Sequence, residues 1–499
     1  MRRTVLLPRG DSLPLVALIV AAFAVRMVHI GFQSLWRDEV DAMRFATQPL
    51  GDLLRMFVTP GENGPLYFLA LRPWLALFGD SEAALRSFSA VAGAALVPLM
   101  FWLGARLFGR RAGWIAAILT ATCPYAVWYS QEGKMYAWVA LLAAGSFALL
   151  WSGLEGGPWW VWAGYVLTTT LAPFVHYLTA LLIPTFALIF LAGWRRWRPR
   201  WKAYGASLAL ILLPYLALAA WQVRALLSGF RTGHPFVPFP QALASVVFGF
   251  SEGVRPAATF WALVPFLLCF LAAWGLGGAP PQDTGAREPA DTSPAIRRGM
   301  RRSWGMALAA CTIWWVAPFF LLFGISLLSP LFVERYLITT LPAFLLLLAA
   351  GLDNLLRRAP WLGLATAAAI LLVSARGVWI QATIPIKPDM RAAAQVVCPR
   401  LESGDPAIFL IPHVEPVFAH YCSRPYAAIP APYANAGQDA DAIARALDRA
   451  LQGKRTIWLV ESEAHLWDAR GLIRAALEKG WTATDDREFT LVRATAYRR

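Results

Sequence analysis

Ser34-Leu35-Trp36-Arg37-Asp38-Glu39-Val40-Asp41 sets three carboxylates and one arginine directly behind an apolar run, Leu13 to Phe32. Three further clusters carry ionisable side chains at the ends of apolar runs. They are Tyr129-Ser130-Gln131-Glu132-Gly133-Lys134-Met135-Tyr136, His176-Tyr177 and Glu334-Arg335-Tyr336. Such groups can move a proton or hold an anion, and beside apolar spans they are costly enough that they tend to line a cavity that uses them. The bland alternative is that each is a solvated residue in its own loop.

The elements that must position these clusters are membrane helices. Of 499 residues, 58% are hydrophobic and 15% charged, 24 are Trp, and mean hydropathy is +0.51. That composition excludes a soluble globular protein. Apolar stretches of spanning length fall at 13–32, 84–104, 112–128, 135–152, 159–176, 178–194, 204–222, 258–278, 304–326, 335–351 and 361–379, which predicts about 11 transmembrane helices. Arg2, Arg3 and Arg9 before the first run put the N-terminus in the cytoplasm. Arg106/Arg110/Arg111, Arg195 to Lys202, the 279–303 linker and Arg357/Arg358 then fall inside as well. The four clusters face outward. No cleavage site follows the first run, which reads as a retained span.

The net charge of +15 raises the question of nucleic acid. Residues 1–379 hold 30 Lys/Arg against 16 Asp/Glu, and residues 380–499 hold 15 against 14. The excess lies in short loops between spans, where the positive-inside rule accounts for it, so no nucleic-acid partner is expected. Gly277 to Arg302, rich in Pro, Gly and charge, reads as a disordered cytoplasmic linker. Two outside loops are long: 33–83, with an amphipathic piece from Pro65 to Phe78 expected to lie at the interface, and 223–257, with Phe230-Arg231-Thr232-Gly233-His234-Pro235 and a short helix-like piece.

The division expected is a transmembrane domain, 1–379, and an extracytoplasmic α/β domain, 380–499. In the latter, β-like runs (Ala407–Ile411, Thr456–Val460, Phe489–Arg493) alternate with helix-like runs (Arg391–Val397, Ala440–Leu451, Leu466–Lys479). Cys123, Cys269 and Cys311 sit in apolar runs as core residues. Outside the cytoplasm Cys398 and Cys422 are free to pair.

Leu-Trp-x-Asp-Glu after the first span, Glu62-Asn63-Gly64-Pro65-Leu66-Tyr67, Tyr-Ser-Gln-Glu-x-x-Met-Tyr, His-Tyr, and Arg-Tyr-Leu followed by Pro342, taken in that order, resemble the polyprenyl-phosphate-sugar-dependent glycosyltransferases of the GT-C fold. That superfamily includes protein O-mannosyltransferases and the aminoarabinose transferases that modify lipid A. The resemblance covers residues 13–379 and, more loosely, the tail. It implies a polyprenyl-phosphate sugar donor, an acceptor glycan, lipid or protein outside the cytoplasm, an inverting single displacement, and a plasma (inner) membrane location.

By the same resemblance Asp38 matches the catalytic acid and would serve as general base. Arg335, with Lys134 and Arg37 as helpers, would clamp the leaving phosphate, while Glu39, Glu132 and Tyr336 contact substrate. The alternative for Arg335 is snorkelling at the interface. Glu62 and His176 match positions that in some relatives hold a divalent metal, zinc or manganese. Asn63 stands where relatives carry a basic residue. No Gly-rich phosphate loop, Gly-x-Ser-x-Gly or His-Glu-x-x-His occurs. The rival expectation is a flippase or transporter of a lipid-linked glycan, and a third is a structural membrane subunit. The absence of paired internal repeats, and the gathering of ionisable groups on one side, favour the enzyme.

Overall fold

The structure, a computed structural model, describes residues 10–59, 62–216, 223, 227, 235–275, 294–402, 404–437 and 439–499, with backbone alone for 294–302. Arg2, Arg3, Arg9, residues 230–234 and the first part of the linker lie outside them. The chain divides into two compact units: Met1–Val28 with Ala46–Gln381, and His29–Phe45 with Ala382–Arg499.

The first unit is helical. Among the described residues each of the eleven apolar runs overlaps helix, from Ser12–Met27 to Pro360–Thr383, residues 217–222 and 276–278 of two runs lying outside them. Glu82–Phe108, Tyr136–Leu154, Ser303–Leu328, Glu334–Arg358 and Pro360–Thr383 are each long and apolar enough to cross a membrane; Tyr177–Ala192 and Trp194–Tyr215, bent by 81°, add a sixth if they form one broken span. The chain is a multi-pass membrane protein. Pro360–Thr383 exposes Trp361, Leu364, Leu372 and Trp379, a surface stable only against lipid. Leu341–Arg358, by contrast, is almost wholly buried. Its Gly351 lies so close to the backbone of Cys269 that a Cβ would come within 1.8 Å of the Cys269 oxygen.

Two boundaries differ from expectation. The first run is helical only to Met27, after which the chain leaves for the second unit. The stretch read as linker to Arg302 is helical from Pro294, as part of Pro294–Leu328. Pro294 at its first position needs no N–H partner and starts a helix that the apolar pattern enters only later. Loop 33–83 is itself built of short helices: Arg37–Thr47, Leu50–Arg55 and Pro65–Phe78, the last with the bounds expected of it. The helix-like piece of the second loop is Phe239–Glu252.

Arg26 shows how proline and arginine cooperate here. Arg110–Thr122 stops before Pro124, which has no N–H for the Thr120 carbonyl four residues earlier. The fully buried Arg26 supplies it: Nη2 donates to Thr120 O at 3.1 Å, Nη1 to Ala121 O at 3.3 Å, and Nε to Ser130 Oγ at 3.1 Å. Gly93 makes the space, since a Cβ there would lie 2.6 Å from Arg26 Nε. Arg26→Met should therefore cost about 1.5–3 kcal/mol, the usual worth of hydrogen bonds to a charged group. Thermal unfolding in detergent checks it, and an unchanged midpoint would show the guanidinium to be dispensable.

The second unit holds a five-stranded sheet of order β2-β1-β3-β5-β4, formed by β1 (Pro406–Phe409), β2 (Ala427–Pro430), β3 (Thr456–Ser462), β4 (Thr482–Phe489) and β5 (Val492–Arg498). β1 pairs parallel with β2 and β3, and β5 antiparallel with β3 and β4. Ile408, Leu459, Ile457 and Tyr497 pack with Ile443 and Leu447 of Ala440–Ala450 and with Ile473 and Leu477 of Leu472–Gly480. The expected strand Phe489–Arg493 straddles the β4–β5 turn: Phe489 ends β4, Leu491 turns the chain at φ 55°, and Val492 and Arg493 open β5. The expected helix Leu466–Lys479 begins only at Leu472, behind a turn in which Asp468 caps the N–H groups of Leu472 and Ile473. Cys398 and Cys422 are joined as a disulfide.

Candidate active site

Of the six site residues of the first unit, Glu62, Glu132, Lys134 and His176 are carried by turns between helices, and Arg335 and Tyr336 by the 3-10 helix Glu334–Thr340 that opens the span Glu334–Arg358. Gln131–Met135 links Pro124–Ser130 to Tyr136–Leu154, and its Gln131 amide donates to Arg26 O and Val28 O at the end of the first helix. The Ser89 hydroxyl donates to Lys134 O at 2.9 Å, and the Lys134 ammonium lies 5.7 Å from the Phe68 ring centre. The turn Glu62–Gly64 packs on the same structure: Gly64, at φ +88°, leaves no room for a Cβ, which would meet the Met135 methyl at 2.4 Å. Asn63 Oδ1 accepts from the Tyr177 N–H at 3.1 Å, so the turns bearing Glu62 and His176 are tied through their neighbours.

His176 is the first residue beyond the helix Trp159–Val175 and is buried. Its ring lies 5.2 Å from Tyr336 and 6.0 Å from Tyr136, while the Arg335 guanidinium stands over the same two tyrosines at 5.8 and 6.0 Å. Cation–π contacts of this kind hold an arginine head within protein. The structure thus gathers Lys134, Tyr136, His176, Arg335 and Tyr336 around one spot, with buried Glu132 two residues from Lys134. Glu62 is exposed at its edge.

Burial first, then the charges of Lys134 and Arg335, push the His176 imidazole down to about 3, so it is neutral at ordinary pH. Its Nδ1 accepts the Leu178 N–H at 3.3 Å, which leaves the proton on Nε2. A nitrogen carrying its proton is no metal ligand, and a field set by two cations opposes a third. Among the described residues no three His, Cys, Asp or Glu side chains come together as a metal site. The pair Glu62 and His176 therefore does not fit a divalent metal in this structure. The polarity suits an anion.

Asp38, Arg37 and Glu39 fall in the second unit, in the first turn of Arg37–Thr47, where acids complement the helix dipole. Asp38 is half-buried. Arg37 is largely exposed and pairs with Asp41 one turn on, at 3.6 Å. Glu39 is fully buried, and its Oε2 lies 2.9 Å from the ammonium of Lys387, itself buried and 5.6 Å from the Trp36 ring centre. The expected substrate contact at Glu39 is thus a carboxylate held inside the unit. Lys387 was missed by sequence reasoning. Its only signal is an isolated cation between Pro385 and Pro388.

Around it, Gln33 Oε1 accepts the N–H groups of Ile386 and Lys387 at 2.8 and 3.2 Å, and its amide donates to Ile384 O at 2.8 Å. Arg391 Nη2 donates to Gly31 O, and the Leu35 N–H donates to the Tyr421 hydroxyl, each at 2.8 Å.

Helices in this order, carrying such turns and joined to a small sheet domain, form the GT-C fold. ArnT from Cupriavidus metallidurans in the apo state superimposes with TM-score 0.60 over 98% of both chains at 13% identity, and the same protein bound to undecaprenyl phosphate with TM-score 0.59 at equal coverage and identity. The Archaeoglobus fulgidus oligosaccharyltransferase, in complex with Zn and sulfate, gives TM-score 0.57 at 14% identity over 94% of this chain and 72% of its own. Residues 62–221 match the family model described as dolichyl-phosphate-mannose-protein mannosyltransferase. No curated protein matches the chain by sequence.

Proposed function

We propose that this protein is a membrane glycosyltransferase. It moves one sugar from a polyprenyl-phosphate donor to a hydroxyl of an extracytoplasmic glycan, lipid or protein, with inversion at the anomeric carbon. The observation that carries the reading is the gathering of Lys134 and Arg335 among Tyr136, His176 and Tyr336, two cations close enough to bind one lipid phosphate. In support, ArnT, of the same fold, has been captured with undecaprenyl phosphate.

Asp38 accepts the acceptor hydroxyl's proton as its oxygen bonds to the anomeric carbon. The bond from that carbon to the donor phosphate oxygen breaks, and its electron pair stays on the phosphate. This leaving group is stable as an anion and needs cations, not an acid, which is the part given to Arg335 and Lys134. Arg335 presents a fork of donors to phosphate oxygens and Lys134 a point charge. Tyr336 and Glu132 contact donor or acceptor. Arg37, exposed at the helix start, assists at the surface.

The protein resides in the plasma (inner) membrane, with the N-terminus in the cytoplasm and residues 382–499 outside, a compartment consistent with the Cys398–Cys422 disulfide.

The test is transfer of label from a radiolabelled polyprenyl-phosphate sugar pool to an envelope acceptor fraction by the purified protein. Product formation supports the reading. Movement of the lipid between leaflets without a new glycosidic bond would replace it with a flippase.

A further inference from the structure

We propose that Lys387 is a positioning residue for Asp38, and that residues 382–499 are the mount that aims the reaction's base. The inference rests on the reading of Asp38 given above and adds a role for the C-terminal domain. The segment His29–Phe45 leaves the first helix and packs as part of the unit formed by Ala382–Arg499.

Two kinds of contact fix it. Along the approach, the Gln33 side chain accepts the backbone N–H groups of Ile386 and Lys387, while Arg391 and Tyr421, the latter beside the disulfide-bonded Cys422, hold the Gly31 carbonyl and the Leu35 N–H. The helix itself is held by the buried pair of Glu39 and Lys387.

The choice of an ion pair is informative. A buried pair adds little stability over apolar side chains of the same volume, but its 2.9 Å contact is directional. Glu39 is the residue after Asp38, about 100° round the helix at 3.6 residues per turn. Anchoring one therefore sets the rotation of the eleven-residue helix and the bearing of the other. Reaction geometry is sensitive at this level: a misplacement of about 1 Å costs on the order of 10² in rate. Glu39 thereby acquires a positioning function in the proposed reaction.

The experiment uses the full-length protein in nanodiscs and the radiolabelled polyprenyl-phosphate sugar pool. It measures apparent kcat and donor KM, binding of undecaprenyl phosphate, and amide hydrogen exchange. Lys387→Met is expected to lower kcat about ten- to a hundredfold with donor KM within about twofold. Exchange over residues 38–46 should quicken while undecaprenyl phosphate binds as before. Lys387→Arg, which restores a cation, should regain most of kcat and of the protection.

The proposal is overturned if Lys387→Met keeps its kcat, if Lys387→Arg is as impaired as Lys387→Met, or if lost rate is matched by lost undecaprenyl phosphate binding. Should Lys387→Met not fold, Glu39→Gln, which keeps the shape of the side chain, is read by the same criteria. Asp38→Asn, run alongside, separates the two layers. An inactive Asp38→Asn with a fully active Lys387→Met rejects only the positioning role, whereas full transfer by Asp38→Asn rejects the base and its mount together.

Discussion

Asp38→Asn should reduce sugar transfer by about 10²–10⁴ while leaving the protein folded and able to bind undecaprenyl phosphate. The amide has the shape of the carboxylate and fits the same place in the first turn of Arg37–Thr47, but it does not take up a proton at neutral pH. An attacking hydroxyl that keeps its proton puts positive charge on its oxygen as the new bond forms, and removing that penalty is the base's contribution. Because Glu39 is committed to Lys387, the neighbouring acid is badly placed to substitute. Transfer at the wild-type rate by Asp38→Asn, at matched amounts of folded protein, would falsify the assignment.

The second large effect belongs to Arg335. Arg335→Ala should lower transfer by about 10²–10³, the scale seen when one donor to a developing oxyanion is removed, and should weaken undecaprenyl phosphate binding as well. Arg335→Lys should fall between, since a point charge replaces the fork. Snorkelling, the competing explanation of an arginine at the end of a span, predicts a head reaching to solvent and a neutral substitution. In the structure the guanidinium instead stands over Tyr136 and Tyr336, in range of the His176 ring. Equal donor affinity in Arg335→Ala and wild type would return the residue to the snorkelling class.

How legible this was depends on which physical signal each part carries. Pro65–Phe78 was read with its bounds because proline, glycine and an apolar stripe mark both ends. The turn at Glu132–Lys134 and the His-Tyr turn were visible as charge or histidine interrupting apolar runs. β4 was not, since Asp485, Asp486, Arg487 and Glu488 on an edge strand give no apolar alternation. β2, four residues ending in proline, is too short to stand out. Arg26 hid inside a hydrophobic run, its partners being carbonyls that a sequence does not display. What bears on the metal expectation for Glu62 and His176 is a detail of the same kind, a backbone N–H facing Nδ1. Least legible was the allegiance of His29–Phe45, whose ties to the tail depend on contacts between residues some 350 positions apart, such as Ile386 with Gln33.

That separation also imposes an order in time. Glu39 leaves the ribosome 348 residues before Lys387, which at roughly 5–20 residues per second means about 17–70 s of synthesis. Throughout that interval Glu39 lacks the partner that Lys387 supplies. By the positioning role proposed above, a nascent chain that lacks Lys387 holds Lys134 and Arg335 without an aimed Asp38. On the positioning role proposed for Lys387, activity begins only once that residue has been made and has paired with Glu39.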